Sequence, residues 1–573
     1  MKRTFLLFLI LSLAACNSPV APGVTPTPNV TTTPGLSDPI PNDIFRLVVD
    51  RDADLGSAQA ISEFVVVQGA PWNRNDPFEA QAWKDLRLRA GDTALVLNDE
   101  YYWPEGGIQV MRSTTPPAEC ANGARGPLGP QGDLWLCTNE FESFLENWVA
   151  TLGTDFNQSL TLSVMPRTLS YNPDSPDWAW MSPKDPEEWS AVMRETGRYL
   201  AEIGWNAPLI WFFGEYENTF YGKDRPLYDG TPETSQARVQ DYAELYILTQ
   251  NALQEHLPEV KLAGAVTGTY SRDFTRDLQQ NPYALGIEDW LEALQRLDPA
   301  FEPSAIGWQG YYWYGLDGFG PARLLEGADH IRGALRGMGY REDIPQYLGG
   351  WNGTFGNFES VDGTLTDDAR LQKEAAHFVS TTIDMLEIGG GERRIQTALY
   401  YTWNLDGAAF SDYHCGFPYQ SLVSTIHDGM DFGDPTGCNV PPSEVECKRA
   451  TWHAFDFLTD MRDGNFIGAA FAGIAEQDIS ALRFAAATMG ESTQIVVAQR
   501  DGAAIPFFHL EVRGLSANSA YTVSVQTIHS RENLCADVVS QAYSINSDQN
   551  DVLFMPLPSI TGGVMQVLVQ PQP

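Results

Sequence analysis

The chain has 573 residues, 43% of them hydrophobic and 12% aromatic, so it has room for more than one domain and ample material for a large core. Its formal net charge is −38, spread along the chain rather than gathered in an acidic tail. Such a field repels phosphates and sulfates, which argues against nucleic acid and other polyanionic partners; neutral or cationic ligands stay open, with solubility as the plain alternative.

The first residues, MKRTFLLFLILSLAAC, put Lys2 and Arg3 ahead of an uncharged apolar run that ends in small residues at Cys16. This is the pattern of an export signal, and the run is too short to span a membrane as a permanent helix. LAAC is similar to the lipobox of bacterial lipoproteins, which implies removal of residues 1–15 and lipidation of Cys16. No later segment has the ~20 consecutive apolar residues of a membrane span, so the expected location is exported and lipid-anchored at the bacterial cell envelope. Residues 16–41, rich in Pro, Thr and Gly, favour extended solvated backbone and read as a tether.

From residue 42 to 462, short β-rich runs alternate with longer patterns of helical spacing. The runs include FRLVVD, ISEFVVVQG, TALVLND, SLTLSVMP, PLIWFFGE, VKLAGAV, AIGWQGYY, IPQYLGG and TALYYTWN; the helical patterns include DPEEWSAVMRETGRYLAEIG and DARLQKEAAHFVSTTIDMLEIG. Repeated strand, helix, strand order predicts a parallel sheet with crossover helices, here an α/β fold of the (β/α)8 TIM barrel type. A doubly wound sheet is the alternative, but no GxGxxG follows a strand. From residue 463 to 573 the pattern becomes short alternating segments without long helices, which predicts a C-terminal antiparallel β-sandwich that supports the barrel or binds sugar itself.

Six cysteines follow Cys16, and their even number in an exported chain suggests disulfides. The loop-like surroundings favour Cys120 with Cys137 and Cys438 with Cys447, leaving Cys415 for Cys535. With no CxxC and no HExxH, neither a metal nor a cofactor is expected. Asp50, Asp52 and Asp54 have calcium-loop spacing, but Leu55 and Ile61 stand where such a loop needs Gly and Glu, so this reads as a solvated acidic turn.

In a barrel of this kind the active site lies at the carboxyl ends of the strands. Those ends here are rich in aromatic and polar groups: LNDEYYWPEGG, MPRTLSYN, FFGEYENTFYG, WQGYYWYG, GGWNGTFG and YYTWNLDG. Aromatic faces stack on sugar rings, while carboxylates, amides and Arg bond hydroxyls. The expected partner is therefore an oligo- or polysaccharide. Candidate contacts are Asn98, Glu100, Trp103, Arg167, Asn218, Trp308, Tyr311, Trp351, Asn352 and Trp403.

Along residues 40–460 these motifs resemble, in order, those of clan A glycoside hydrolases, especially family 39 with its β-xylosidases and α-L-iduronidases. LTLSVMPRTLSYNPD resembles the family's third strand, LIWFFGEYENTFYG its strand ending in Trp-Asn-Glu-Pro-Asn, IGWQGYYWYG its Ser-x-His-x-Tyr strand end, IPQYLGGWNG its Thr-Glu-Trp-Asn strand end, and ALYYTWNLDG its eighth strand. The resemblance implies Glu215 as acid/base, with Glu217 as its substitute in a shifted register. It also places Gly350 where the family carries its nucleophilic glutamate, and a glycine has no group to attack the anomeric carbon. A second carboxylate would come from Glu217, Asp99, Glu100, Glu359 or Asp406, and an inverting reaction suits the space left at position 350. The alternative is a surface lipoprotein that binds carbohydrate without cleaving it.

Overall fold

The computed structural model describes residues 44–572, apart from short stretches and the segments 68–76, 99–106, 213–219, 224–230, 312–320, 353–366, 401–421 and 425–445. Eight parallel strands close a barrel in chain order: Val65–Val67 (β1), Ala90–Ala94 (β2), Asn157–Thr161 (β3), Leu209–Trp211 (β4), Lys261–Thr267 (β5), Ala305–Tyr311 (β6), Gln346–Asn352 (β7) and Thr397–Tyr400 (β8). The last strand returns to the first through Ala398 opposite Val65 and Tyr400 opposite Val67.

Parallel neighbours need crossover connections, and these carry Pro77–Leu86 (α1), Asn139–Leu152 (α2), Pro186–Glu202 (α3), Pro232–Gln254 (α4), Ile287–Leu297 (α5), Pro321–Gly337 (α6) and Asp367–Leu386 (α7). Ala450–Thr459 (α8) follows β8. The third helix illustrates the local logic. Asp185 caps it by accepting from the Glu187 and Glu188 N–H groups, Pro186 takes the first turn where no donor is needed, and Trp189, Val192, Met193, Tyr199 and Leu200 form its buried face. Trp189 Nε1 then donates to Thr249 Oγ1 on α4 at 2.8 Å. Among the described residues no helix is long and apolar enough to cross a membrane.

A small four-stranded sheet is inserted between β2 and α2, and the disulfide Cys120–Cys137, Cα atoms 4.8 Å apart, staples it as expected. The other predicted pairs are corrected: Cys447 bonds Cys535 across 5.7 Å between Cα atoms, while Cys415 and Cys438 lie outside the described residues. This bridge joins the segment entering α8 to the strand Ala536–Asn546, a proximity that only the packed fold creates.

The second sheet has nine strands in one continuous ladder. Third from one edge is a segment expected among the barrel runs: Arg46–Ser57, which contains RLVVD, pairs antiparallel with Asn465–Ala472 and parallel with Phe508–Arg513. The reason is its alternation, with Leu47 and Val49 buried in the sheet's own core and Arg46 paired to Glu511 at 2.7 Å, whereas barrel strands are apolar on both faces. The acidic turn lies on this strand, where Asp50 and Asp54 accept from the Asp52 and Gly56 N–H groups. Among the described residues no group of three or more His, Cys, Asp or Glu side chains gathers to hold a metal ion.

The sheet is buried on both faces at Ser492–Gln499. In Ser492–Gln499, Ile495 and Val497 enter the sheet's core while Val496 and Ala498 join the barrel's outer core. Polar ties cross the same junction: Gln372 Nε2 on α7 donates to the Ile528 carbonyl at 2.9 Å, Gln494 Nε2 to the Phe457 carbonyl at 2.9 Å, and Asp384 receives Arg483 at 2.5 Å and Arg500 at 2.6 Å.

Next to this junction is a depression of about 610 Å³, lined by the end of α1, by α8 and by Gln526 and Val538 of the sheet. Lys448 sits 3.5 Å from the Trp452 ring centroid and 2.7 Å from Asp85. Burial, and secondarily Asp460, pushes the Asp456 carboxyl up to about 7, against the opposing pull of Lys448 and Arg87. Because this folded value lies above the unfolded 3.8, the stabilising protonated form is lost as pH rises from about 4 through 7. Thermal melts should therefore show Asp456→Asn more stable than wild type at about pH 8, with the gain shrinking toward pH 5.

Candidate active site

Whether a barrel side chain reaches the interior depends on strand alternation. Leu209, Trp211, Ala263, Ala305 and Tyr347 form a compact cluster separate from the barrel's outer core, and they are the interior floor. Trp211 meets Tyr347 edge-on at 6.0 Å and donates through Nε1 to Ser159 Oγ at 3.2 Å. Burial pushes the Tyr347 phenol up to about 12, so it stays protonated at neutral pH.

Above the floor two strands depart from regular pairing. On β5, Ala265 faces Gly307 and Thr267 faces Trp308, so Val266 is an extra residue, and Ala265 takes a φ of 34°, a conformation uncommon for alanine. On β7, Leu348 pairs with Trp308 and Trp351 with Gly310, leaving Gln309 alone opposite Gly349 and Gly350. The strand on the other side agrees, with Leu399 alone opposite the same two glycines. The glycine pair is thus a β-bulge, of the kind found at barrel rims beside active sites.

The bulge decides where Trp351 goes, while Trp308 follows the regular alternation of β6. Trp351 is fully buried and stacks on Phe378 of α7, with ring centroids 5.5 Å apart and planes 11° apart. Trp308 is also fully buried, edge-on to Tyr270 at 6.2 Å and close to Gly327 of α6. Both rings belong to the strand–helix layer, which corrects the expectation that they contact substrate. Arg167 is exposed beyond the end of β3, where its Nε donates to the Pro173 carbonyl at 2.7 Å.

Tyr311 and Asn352, the last residues of β6 and β7, face one another across the ladder at the barrel mouth. Asn98 lies in the inserted sheet, opposite Gln109, rather than in the barrel. Glu100, Trp103, Glu215, Glu217, Asn218, Trp403 and Asp406 lie outside the described residues, as do Asp99, Glu359 and Cys16.

The residues on either side of the segment 213–219 pack on α4. Phe212, directly after β4, packs edge-on against Tyr242 at 5.1 Å and Tyr246 at 5.3 Å. Phe220 packs against the same Tyr242 at 5.2 Å. Both ends of the segment 213–219 are therefore anchored on one α4 tyrosine, whose hydroxyl also donates to the carbonyl of the strained Ala265 at 3.2 Å. Just beyond, the buried Asp241 carboxylate accepts from the Lys223 N–H at 3.1 Å and pairs with Lys223 Nζ at 3.3 Å. Sequence reading missed Tyr242, Phe220 and Asp241; for Tyr242 the signal was an aromatic in the helix that follows β4.

No protein-family model matches the chain, and no curated protein sequence does. Solved structures do match its fold. A glucosidase from Croceicoccus marinus is 13% identical with a TM-score of 0.56, covering 92% of this chain and 99% of its own. The GH39 enzyme from Xanthomonas axonopodis pv. citri is 11% identical with a TM-score of 0.59, over 92% and 97%. A monomeric β-xylosidase from Caulobacter crescentus is 11% identical with a TM-score of 0.56, over 92% and 99%. At these identities the likeness is one of fold.

The packing of Trp351 sets an expectation for stability. Trp351→Ala should cost about 3–5 kcal/mol by opening a cavity between β7 and α7, read as a lower denaturation midpoint. A variant that unfolded like wild type would show that the ring does not anchor the strand.

Proposed function

We propose that this is an exported, lipid-anchored glycoside hydrolase that cleaves an oligo- or polysaccharide by a non-standard mechanism. The observation that carries the reading is the Glu215 segment: it directly follows β4 at the catalytic end of a glycosidase-like barrel, and Phe212 and Phe220 anchor it on Tyr242. Supporting it are the three glycosidase structures of similar fold and the aromatic, amide-rich strand ends.

In this reading Glu215 gives its proton to the departing glycosidic oxygen as the bond to the anomeric carbon breaks. Water attacks that carbon from the opposite face, and Glu217 or Asp406 takes the proton the water loses. The stereochemistry inverts, which calls for ~6.5–9.5 Å between acid and base. Gly350 fits this scheme because the bulge presents backbone where a retaining enzyme needs a carboxylate. The nine-stranded sheet, read as a sandwich-like domain, supports the barrel through α7 and α8, and Cys16 carries the lipid that holds the protein at the envelope.

The uncharged glycine pair also favours a second reading, a surface lipoprotein that binds glycan without cleaving it. A broad panel of oligosaccharides separates the two. Cleavage by wild type that falls about 10²–10⁴-fold in Glu215→Gln supports the acid role, and the anomeric configuration of the first product, by NMR, identifies inversion. Binding without cleavage selects the second reading, and neither binding nor cleavage sinks both.

A further inference from the structure

We infer that Gln309 is a specificity-determining residue whose carboxamide oxygen accepts a hydrogen bond from a hydroxyl or acetamido N–H of a neutral sugar seated against the Gly349–Gly350 bulge. The inference rests on the glycan reading above and assigns one of its contacts.

Three observations converge. First, Gln309 is only 8% exposed, and its Oε1 is buried without a hydrogen bond among the described residues. A buried acceptor left unpaired is costly, and native proteins retain few of them, so it calls for a partner outside the chain. Second, the side chain faces the barrel interior. Trp308 packs outward on Tyr270 and Gly327, and a Cβ on Gly310 would meet Leu324 of α6 and Leu348, so the residue between them points the other way. Ala305, two positions before Gly307 on the same face, already lies in the interior floor.

Third, the strand wall beside the amide is uncharged. The bulge sets two glycines opposite Gln309, and the residues beneath are Gly307 and Tyr347. An acceptor oxygen on such a wall selects donors. A sugar hydroxyl or an acetamido N–H satisfies it, whereas a uronate carboxylate would bring further acceptors and a charge with no cation beside it on β6 or β7. The chain's net charge of −38 works in the same direction.

Calorimetry on the full mature chain tests this with methyl xyloside, glucoside, 2-acetamido-glucoside and glucuronide, extended to neutral oligosaccharides, on wild type and on Gln309→Leu and Gln309→Asn. Wild type should bind a neutral probe and reject the glucuronide. Gln309→Leu should bind the neutral probe about tenfold or more weakly, while melting no lower than wild type, because it removes an unpaired buried acceptor. Loss confined to the 2-acetamido probe identifies the N–H as the donor read, and loss across the hydroxyl sugars identifies an O–H. Equal sugar affinity in wild type and both variants overturns the inference but leaves the glycan reading standing, as does a lower melting temperature with unchanged affinity. Binding of no sugar by wild type overturns both.

Discussion

In a closed parallel barrel each strand is buried on two faces, so each side chain belongs either to the interior or to the layer beneath the helices. Strand alternation makes that choice, and only a bulge can reverse it. The floor of Leu209, Trp211, Ala263, Ala305 and Tyr347 follows the ordinary alternation. Above it, one extra residue in β7 returns Trp351 to the helix side, where it stacks on Phe378. Glycines suit this place because they carry no side chain to crowd the interior. The same feature thus anchors the strand and sets two glycines opposite Gln309.

The anchoring around β4 has a comparable economy. Tyr242 receives Phe212 and Phe220 on its ring and donates its hydroxyl to the carbonyl of Ala265, so one helical side chain ties both flanks of the segment 213–219 to the bulged β5. Catalytic groups gain precision when packed neighbours fix the backbone that carries them. Here the neighbours are aromatic and buried, so the site leans on the core rather than on surface ion pairs.

The second sheet is an integral face of the molecule. Alternate residues of Ser492–Gln499 feed two different cores, and Asp384 on α7 holds two arginines from the sheet side. The Cys447–Cys535 bridge and the His453 contact to the Ala536 carbonyl, 3.0 Å long, add covalent and polar links at α8. Burial drives the His453 imidazole down to about 4, which keeps it neutral at the junction.

Much of this was legible in the chain itself. Alternating β runs and helical patterns determined the strand order, because parallel strands require crossovers, and the aromatic and polar strand ends determined where a glycan site would be sought. Local pattern also sufficed for Cys120–Cys137, whose partners lie in one small insertion. Tertiary structure alone decided the rest. RLVVD joined the distant sheet because its pairing partners lie more than 400 residues away, Cys447 met Cys535 because α8 packs there, and Trp351 turned to the helix side because a bulge shifts alternation by one residue. That one-residue shift has no local signature beyond two glycines, since parity is defined only against the neighbouring strands.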